Sequence, residues 1–426
     1  MSKTDKSLSS RSWQASVRVV EDFLKSDQKL DVLLERHSRN LEGDVARRVQ
    51  FLSYGVVRHL GRFQSQLKST TRKLPKKRLQ AIMLVALFEY SEAEEGNKPQ
   101  IVHYVVEQAK RMLSKPESKF ANAVLRKLPE LEQIEAQSIK QTKDLSRLYS
   151  HPKWLVDRWI ELWGEAIVEE FLSWNQMIPK VYAFCRVSGM AVPDDWVPTA
   201  WPGFFEIQDA EWKITRTWLA DGKAYIQDPS TRLGPQLLEG QIVRSALDLC
   251  AAPGGKSIQL LGAIHNTEGL LVSVDVPGSR FDRLRENLSR YQREGIEQVQ
   301  VAEDVLGLNS DQLPRPEFDL VYVDVPCSNT GVLQRRPDIK WRQTAETLRG
   351  LIGLQEALLK KAAQFVKLDG WLIYSTCSVE PEENQQIIDH FLETSGGTCI
   401  KEKEILSFPW ESGHDGVGAF LLRRVR

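Results

Sequence analysis

The chain has 426 residues, of which 42% are hydrophobic and 27% charged, an ordinary balance for a globular protein of two or three domains. Its 57 basic and 57 acidic residues cancel, so the net charge alone gives no sign of a nucleic-acid partner. The sequence has neither a run of about 18 apolar residues nor an apolar secretory segment at its start, so we expect a cytoplasmic protein with no membrane contact.

The five cysteines are widely spaced, and none belongs to a CxxC pair. Because zinc sites and disulfide frameworks need closely patterned cysteines, we expect no metal, no disulfide and a reducing compartment. Each cysteine is then either buried filler or a reactive thiol. They are Cys185, Cys250, Cys327, Cys377 and Cys399.

Residues 1–143 have the pattern of successive helices. Apolar residues at three- and four-residue spacing predict an amphipathic helix over 49–67, and an almost wholly apolar stretch predicts a buried helix over 82–90. Two more helices are predicted over 101–112 and 120–128, and no strand pattern interrupts them. We therefore expect an all-α domain.

A basic stretch lies within this region. Between residues 58 and 80 the sequence has eight basic residues and no acidic one. Such a stretch is either a solvated face or a surface that contacts phosphates, and the pattern leaves both interpretations open. Its basic members are Arg58, Arg62, Lys68, Arg72, Lys73, Lys76, Lys77 and Arg78.

Residues 144–235 differ in composition, since they hold eight of the 12 tryptophans and several prolines. A predicted helix after Pro152 carries Trp154, Trp159 and Trp163, a spacing that is typical of core packing. The remainder is rich in loops and has short strand-like segments. We expect a small mixed α/β connecting domain.

Residues 236–426 alternate strand-like and helical segments. This order predicts a Rossmann-like α/β domain with a doubly wound, mostly parallel sheet, in which ligands bind beyond the carboxyl ends of the strands. The predicted strands are 246–249, 270–274, 299–301, 318–323 and 370–376, and the predicted helices are 257–264, 279–294 and 348–366.

A glycine-rich turn follows the first predicted strand. Small residues there let the backbone approach a ligand, and the next helix presents free N–H groups, although a merely structural turn would have the same composition. The spacing fits neither a P-loop, because position 250 is cysteine, nor the GxGxxG dinucleotide fingerprint. The candidate cofactor-binding residues of the turn are Cys250, Ala251, Ala252, Pro253, Gly254, Gly255 and Lys256.

Aspartates follow the next three strands, at Asp275, Asp304 and Asp324. Each alone could cap a helix, but acids at successive strand ends predict a nucleoside pocket, with Asp275 placed to accept ribose hydroxyls. The pocket has no phosphate clamp, which favours S-adenosylmethionine over a nucleotide. Two thiols, Cys327 and Cys377, follow the fourth and fifth strands, and adjacent strands would bring them together at the pocket mouth.

These motifs resemble those of the Sun-type RNA cytosine-C5 methyltransferases. The likeness lies in residues 248–257, in Asp324-Val325-Pro326-Cys327-Ser328, in Ser375-Thr376-Cys377-Ser378, and in residues 336–341 and 415–420. Residues 120–126 resemble part of the NusB-like RNA-binding domain. The combination points to the RsmB branch of the family, which methylates small-subunit ribosomal RNA.

The resemblance implies S-adenosylmethionine as cofactor, RNA as partner, and methylation of carbon 5 of a cytidine in small-subunit (16S) ribosomal RNA. It implies that Cys377 attacks carbon 6 of the cytosine and that Cys327 assists product release. Asp324 would contact the cofactor or the cytosine edge, and the sequence leaves this choice open. The basic stretch and Arg126 would then contact phosphates, and a monomer is the default expectation.

The sequence departs from the family pattern at three places. Asn329 occupies a position that is usually glycine, residues 185–188 replace a usual Arg-Val-Asn, and Val417-Gly418 interrupts a usual Gly-Phe-Phe. Three alternatives stay open: a tRNA cytosine-C5 methyltransferase, a non-catalytic NusB-like assembly factor, and an NAD-dependent oxidoreductase. The intact turn and cysteines argue against the second, and the third explains neither cysteine.

Overall fold

The structure is a computed structural model that describes residues 3–41, 43–71, 73–185, 191–208, 212–265 and 267–426. The chain divides into two compact units. The first comprises Met1–Met177 and Leu333–Arg342, and the second comprises Ile178–Val332 and Gln343–Arg426. The predicted connecting domain, 144–235, is therefore split, because its helices up to Met177 lie in the first unit and its strands in the second.

The first unit is built from helices. They are α1 (Lys3–Phe23), α2 (Leu30–Ser38), α3 (Gly43–Arg58), α4 (Leu60–Thr70), α5 (Lys77–Ser91), α6 (Lys98–Met112), α7 (Lys115–Leu125), α8 (Leu128–Gln141), α9 (Leu145–Leu148), α10 (Lys153–Trp163) and α11 (Glu165–Gln176). Helix α5 is buried continuously from Leu79 to Tyr90, as its apolar composition predicts, and α1, α3, α6 and α7 pack around it. No helix in the described ranges is both long and apolar enough to cross a bilayer.

The single helix predicted over 49–67 is wrong, because the structure interrupts it at His59, between α3 and α4. In an unbroken helix the amides of Gly61 and Arg62 would donate to the carbonyls four residues earlier. Here both amides donate instead to the hydroxyl oxygen of Ser150, at 3.0 and 3.2 Å.

The two carbonyls that this break exposes are bound by residues from much later in the chain. Trp341 Nε1 donates to the Val57 carbonyl at 2.8 Å, and Lys340 Nζ donates to the Arg58 carbonyl at 2.9 Å. Both donors belong to the segment Leu333–Arg342. Because each opened backbone group has a partner, the break carries no unsatisfied polar group at these positions.

The second unit contains two sheets. Its helices and strands are numbered with α16, which belongs to the first unit. In chain order they are β1 (Tyr182–Cys185), β2 (Trp196–Pro198), β3 (Phe204–Ile207), α12 (Trp212–Ala220), β4 (Ala224–Ile226), α13 (Leu233–Gln236), β5 (Ser245–Leu249), α14 (Gly255–Ala263), β6 (Gly269–Asp275), α15 (Ser279–Arg290), β7 (Ile296–Ala302), β8 (Phe318–Asp324), α16 (Ile339–Arg342), α17 (Ala345–Ala363), β9 (Val366–Thr376), α18 (Gln385–Thr394), β10 (Cys399–Ser407), α19 (Pro409–Ser412) and β11 (Val417–Arg424).

Within the described ranges, the small sheet has the order β2-β3-β1-β4 and is antiparallel. The larger sheet has the order β10-β11-β9-β8-β5-β6-β7. Strands β5 to β9 are parallel, and β11 runs antiparallel to both of its neighbours. The Rossmann-like α/β class is thereby confirmed, and the five predicted strands correspond to β5 to β9.

Strand β5 lies where the strand order reverses. The chain runs outward from β5 to β6 and β7, then crosses to β8 on the other side of β5. Ligand crevices form beyond the carboxyl ends of strands at such a point. Since β5 and β6 are buried at every position, they form a rigid base for the loops that follow them.

Candidate active site

The turn between β5 and α14 is tightly wound. Cys250 and Gly254 both have positive φ angles, of 60° and 107°, and α14 begins immediately after Gly254. A left-handed residue at the start of a helix favours glycine, because other residues are strained there. The predicted glycine turn is thus a bend that presents the amino end of α14 to the crevice.

Asp275 ties this turn to the next strand. Its buried carboxylate accepts hydrogen bonds from the Ala252 amide at 2.8 Å and from the Val276 amide at 2.8 Å. Asp304 lies differently, since it is exposed after the edge strand β7 and accepts a bond from the Leu306 amide at 3.0 Å. Asp275 therefore contacts the glycine turn. Asp304 instead forms the side-chain hydrogen bond of a local turn after β7.

Two further polar side chains beside the turn were not predicted as site residues. Both side-chain polar atoms of Gln227 are buried without a partner in the described structure, and a Cβ atom on Gly255 would lie 3.1 Å from Gln227 Oε1. Asp248, fully buried on β5, accepts a hydrogen bond from Ser257 Oγ at 2.5 Å, and its other oxygen has no partner among the described residues. Burial raises the pKa of Asp248 to about 7, against the effect of the Ser257 hydrogen bond. Unpaired buried polar atoms beside a glycine turn fit a polar ligand.

Asp324 links the glycine turn to the fifth parallel strand. Its Oδ1 atom lies 3.3 Å from Lys256 Nζ and accepts a hydrogen bond from Ser375 Oγ at 2.5 Å. Burial disfavours a charge on Lys256, but the charges of Asp324, Tyr322 and Cys377 outweigh it and raise the pKa of the lysine. A charged lysine is therefore held beside Asp324 and near the Cys377 thiol.

The two thiols lie together at the ends of β8 and β9. The strands pair in parallel with Asp324 opposite Ser375, and the sulfur atoms of Cys327 and Cys377 are 3.3 Å apart. Cys377 is partly exposed, whereas Cys327 is buried. The hydrogen bond with Cys377, together with burial, raises the pKa of Cys327 well above its usual range. Cys327 therefore keeps its proton beside the more accessible sulfur.

Asn329 contacts both cysteines. Its Nδ2 atom donates to the Cys327 carbonyl at 2.5 Å, and its Oδ1 atom accepts from the Cys377 thiol at 3.1 Å. The φ angle of Asn329 is 58°, in the left-handed region that glycine adopts freely and asparagine tolerates. The loop therefore has a conformation that glycine would also adopt, and it has a carboxamide next to the thiol.

Glu383 anchors the loop that carries Cys327. It is fully buried and accepts hydrogen bonds from the Ser328 amide at 2.8 Å, from Gln355 Nε2 at 2.9 Å and from Ser328 Oγ. Gln355 also donates to the Pro326 carbonyl at 2.9 Å. This burial could not be predicted from the sequence, because Glu383 lies in an acidic stretch that resembles a solvated surface.

A second set of bonds fixes the backbone around Cys377. The Gly331 amide donates to the Cys377 carbonyl at 3.0 Å, and Thr376 Oγ1 donates to Asn384 Oδ1 at 2.7 Å. Asn384 Nδ2 in turn donates to the Ser378 carbonyl at 3.0 Å. Both thiols thus project from loops whose backbones are held on either side.

The other three cysteines have thiols whose pKa values are raised. Burial raises the pKa of Cys185 to about 11, and burial likewise raises the pKa of Cys250 and of Cys399. Cys185 is the first residue of one stretch that departs from the family pattern, and the three residues after it, 186–188, lie outside the described residues. Cys185 and Cys399 fit the role of buried filler, whereas Cys250 is partly exposed in the glycine turn.

The basic stretch of the first unit is only partly accessible. Arg58, predicted as a phosphate contact, is buried and donates to the Gln334 carbonyl at 2.8 Å, so that prediction is wrong for this residue. Arg126 is exposed, and its Nε atom donates to Asn122 at 3.1 Å. Arg72 lies outside the described residues. The exposed members are Lys68, Lys73, Lys76, Lys77 and Arg78.

Two family models match this chain. Residues 235–412 match the model described as 16S rRNA methyltransferase RsmB/F, and residues 12–130 match the NusB family. The first stretch includes the glycine turn and both paired cysteines. The second lies within the helical unit.

Curated relatives carry the corresponding names. A probable ribosomal RNA small subunit methyltransferase B from Synechocystis is 29% identical over 398 residues, which cover 89% of this chain and 88% of the relative. A ribosomal RNA small subunit methyltransferase B from Erwinia tasmaniensis is 27% identical and covers 94% of this chain and 96% of its own length. One from Yersinia pseudotuberculosis is 35% identical over 213 residues, 48% of this chain and 47% of the relative.

Solved structures share the fold. The protein PH0851 aligns with a TM-score of 0.76 at 19% identity, covering 97% of this chain and 99% of that one. A methyltransferase homologue from Pyrococcus horikoshii aligns with a TM-score of 0.56 at 23% identity, covering 66% of this chain and 98% of that one. At these identities the likeness establishes the fold alone.

Proposed function

We propose that this chain is an S-adenosylmethionine-dependent enzyme that methylates carbon 5 of a cytidine in small-subunit ribosomal RNA. The matches to the RsmB/F methyltransferase model and to the NusB family support this proposal. The reaction proceeds through a covalent bond between Cys377 and carbon 6 of the cytosine. The observation that carries this proposal is the 3.3 Å contact between the Cys327 and Cys377 sulfurs beyond the carboxyl ends of β8 and β9.

The residues around the glycine turn fit S-adenosylmethionine. Asp275 offers carboxylate oxygens for ribose hydroxyls, and the turn from Cys250 to Lys256 supplies backbone N–H groups. The unpaired amide of Gln227 lies beside Gly255, where a polar amino-acid tail would find partners. The cofactor supplies an electrophilic methyl group. Asp304, exposed in its local turn, is assigned to the same pocket.

A covalent route overcomes the low reactivity of carbon 5 towards the methyl group. Carbon 5 of cytosine is a weak nucleophile, and addition of a thiolate to carbon 6 makes carbon 5 enamine-like. Cys377 is the better nucleophile of the pair because it is partly exposed, whereas Cys327 is buried and holds its proton. The Cys327 thiol can also donate a hydrogen bond to the Cys377 sulfur.

We assign Asp324 to the pyrimidine rather than to the cofactor. Among the described residues, the contacts from Lys256 and Ser375 go to its Oδ1 atom, which leaves Oδ2 to accept a hydrogen bond from the cytosine edge. After methylation a base removes the proton from carbon 5, the electrons of that C–H bond re-form the 5,6 double bond, and the Cys377 sulfur leaves carbon 6 as a thiolate. We assign Cys327 to this release step, because its sulfur lies directly beside the bond that breaks.

The RNA side of the proposal rests on the first unit. The NusB-type stretch includes exposed basic side chains at Lys73, Lys76, Lys77 and Arg78, which suit contact with phosphates. A cytosine reaches a pocket at strand ends only when it is unstacked, so a loop or bulge of folded RNA is the expected target.

The test is nucleoside analysis of RNA treated with the purified full-length protein and S-adenosylmethionine. Unmodified small-subunit ribosomal RNA should gain 5-methylcytidine at one position, and total tRNA should gain none. Methylation of tRNA alone would replace this proposal with the tRNA alternative. If calorimetry detected no binding of S-adenosylmethionine, the non-catalytic assembly factor would be favoured instead.

A further inference from the structure

The two active-site sulfurs are close enough to react with each other. Their separation of 3.3 Å compares with about 2.05 Å in a disulfide bond, and they project from loops after two neighbouring parallel strands. All five cysteines lie in the described part of the chain, and this is the pair whose sulfurs the structure brings into contact. We infer that Cys327 and Cys377 form a reversible oxidation site, in which a hydroperoxide converts the pair to a disulfide.

The difference in exposure assigns the order of events. Cys377 is partly exposed and meets a small oxidant first, whereas Cys327 is buried and protonated behind it. The Cys377 thiolate attacks the outer peroxide oxygen, so the O–O bond breaks, sulfenic acid forms and an alkoxide or hydroxide leaves. The Cys327 sulfur then attacks the sulfenic sulfur, and its proton leaves with the hydroxyl group as water. Two thiols lose two electrons and two protons, and the peroxide becomes an alcohol and water.

The surrounding hydrogen bonds favour formation of the disulfide by rotation of the two cysteine side chains. Glu383 holds the Ser328 amide, and the Gly331 amide holds the Cys377 carbonyl, so the backbones on both sides of the pair are already fixed. Closure replaces the contact between the Cys377 thiol and Asn329 Oδ1, which is a weak sulfur hydrogen bond. A single weak contact is therefore the main polar interaction that the Cys377 side chain gives up.

Oxidation would stop the reaction and protect the thiols. A sulfur in a disulfide cannot attack carbon 6, and a resolving thiol beside a sulfenic acid prevents its irreversible conversion to sulfinic acid. The loss of activity rests on the proposed function, since it requires Cys377 as nucleophile. Formation of the disulfide itself does not depend on that function.

The experiment treats the reduced full-length protein with hydrogen peroxide, blocks free thiols with iodoacetamide and identifies cross-linked peptides by mass spectrometry. We expect a Cys327–Cys377 cross-link that dithiothreitol removes, with methylation activity lost and regained in parallel. The Cys399→Ser variant, which removes a buried cysteine away from the pair, should give the same cross-link. In Cys327→Ser, Cys377 should accumulate as sulfinic acid.

The inference is overturned if the wild type forms no such cross-link and its Cys377 reaches sulfinic acid as fast as in Cys327→Ser. A cross-link in a protein with no methyltransferase activity would support the oxidation site and contradict the proposed function. Full activity in a preparation shown to be completely cross-linked would contradict both the role of oxidation in control and the assignment of Cys377 as the nucleophile.

Discussion

The Oδ1 atom of Asn329 accepts a hydrogen bond from the Cys377 thiol at 3.1 Å, while the same side chain donates to the Cys327 carbonyl. The resemblance drawn from the sequence predicts glycine at this position, and asparagine is among the few other residues that tolerate its left-handed φ angle of 58°. The proposed nucleophile is thus oriented by a residue that the family pattern does not predict.

Substitution of Asn329 should separate the conformation of the loop from the contact of its amide. Asn329→Gly keeps the left-handed backbone but removes the amide that orients the Cys377 side chain, so we expect covalent adduct formation to slow about fivefold, which corresponds to about 1 kcal/mol of lost positioning. Asn329→Val should in addition lower the free energy of unfolding by about 1–2 kcal/mol, because a β-branched residue is strained there. Single-turnover kinetics and urea unfolding measure the two effects. Equal rates for the wild type and Asn329→Gly would show that the amide contact has no role.

Removal of the Glu383 carboxylate should loosen the Cys327 loop. Glu383→Ala leaves the buried Ser328 amide without its acceptor and removes one of the two acceptors of Gln355 Nε2, so we expect the free energy of unfolding to fall by about 3 kcal/mol. The matched control is Glu393→Ala on the exposed side of α18, which should change it by less than about 0.5 kcal/mol. Urea titrations that give the same small change for both variants would contradict the anchoring role.

The buried carboxyl of Asp248 should make stability depend on pH. Burial raises its pKa from the usual 3.8 to about 7, so between these values the unfolded state has released a proton that the folded state retains. Stability from this group is therefore full below about pH 4 and is lost as the pH rises towards 7, by at most about 1.4 kcal/mol per pH unit. Relative to the wild type, Asp248→Asn should gain stability over that range. Parallel pH profiles of unfolding for the two proteins would contradict this.

The break between α3 and α4 should depend on the segment Leu333–Arg342. Trp341→Phe keeps an aromatic ring but leaves the Val57 carbonyl without its donor, so the free energy of unfolding should fall by about 1–2 kcal/mol. Exposed Trp154 provides the control, since Trp154→Phe removes an indole N–H on α10 and should have a smaller effect. An equal fall in the free energy of unfolding for the two substitutions would contradict this dependence.

The positions of most site residues follow from the strand pattern. Parallel strands end at one edge, so acids and thiols predicted after successive strands meet there, as Asp275, Asp324, Cys327 and Cys377 do. Asp304 differs because it follows β7, which lies at the far edge of the sheet. Alternation of strands and helices predicts neighbours within a sheet, but it does not predict the distance of an edge strand from the crevice.

The features that could not be predicted from the sequence depend on hydrogen-bond partners that lie far away along the chain. The break at His59 is stabilised by Lys340 and Trp341, which lie more than 280 residues away in sequence, and no local pattern contains that information. Arg58 has the composition of a surface residue, yet its guanidinium is buried against the Gln334 carbonyl. The Glu383 carboxylate is buried for a similar reason, since its partners come from α17 and from the loop after β8.

The central claim, that Cys377 is the nucleophile and Cys327 releases the product, is tested most directly by the covalent complex itself. The wild type, Cys377→Ala and Cys327→Ala are each incubated with small-subunit ribosomal RNA and S-adenosylmethionine, then run on a denaturing gel. We predict that Cys327→Ala accumulates a stable protein–RNA complex and that Cys377→Ala forms neither complex nor product. Methylation by Cys377→Ala, with loss of both turnover and complex in Cys327→Ala, would contradict the claim.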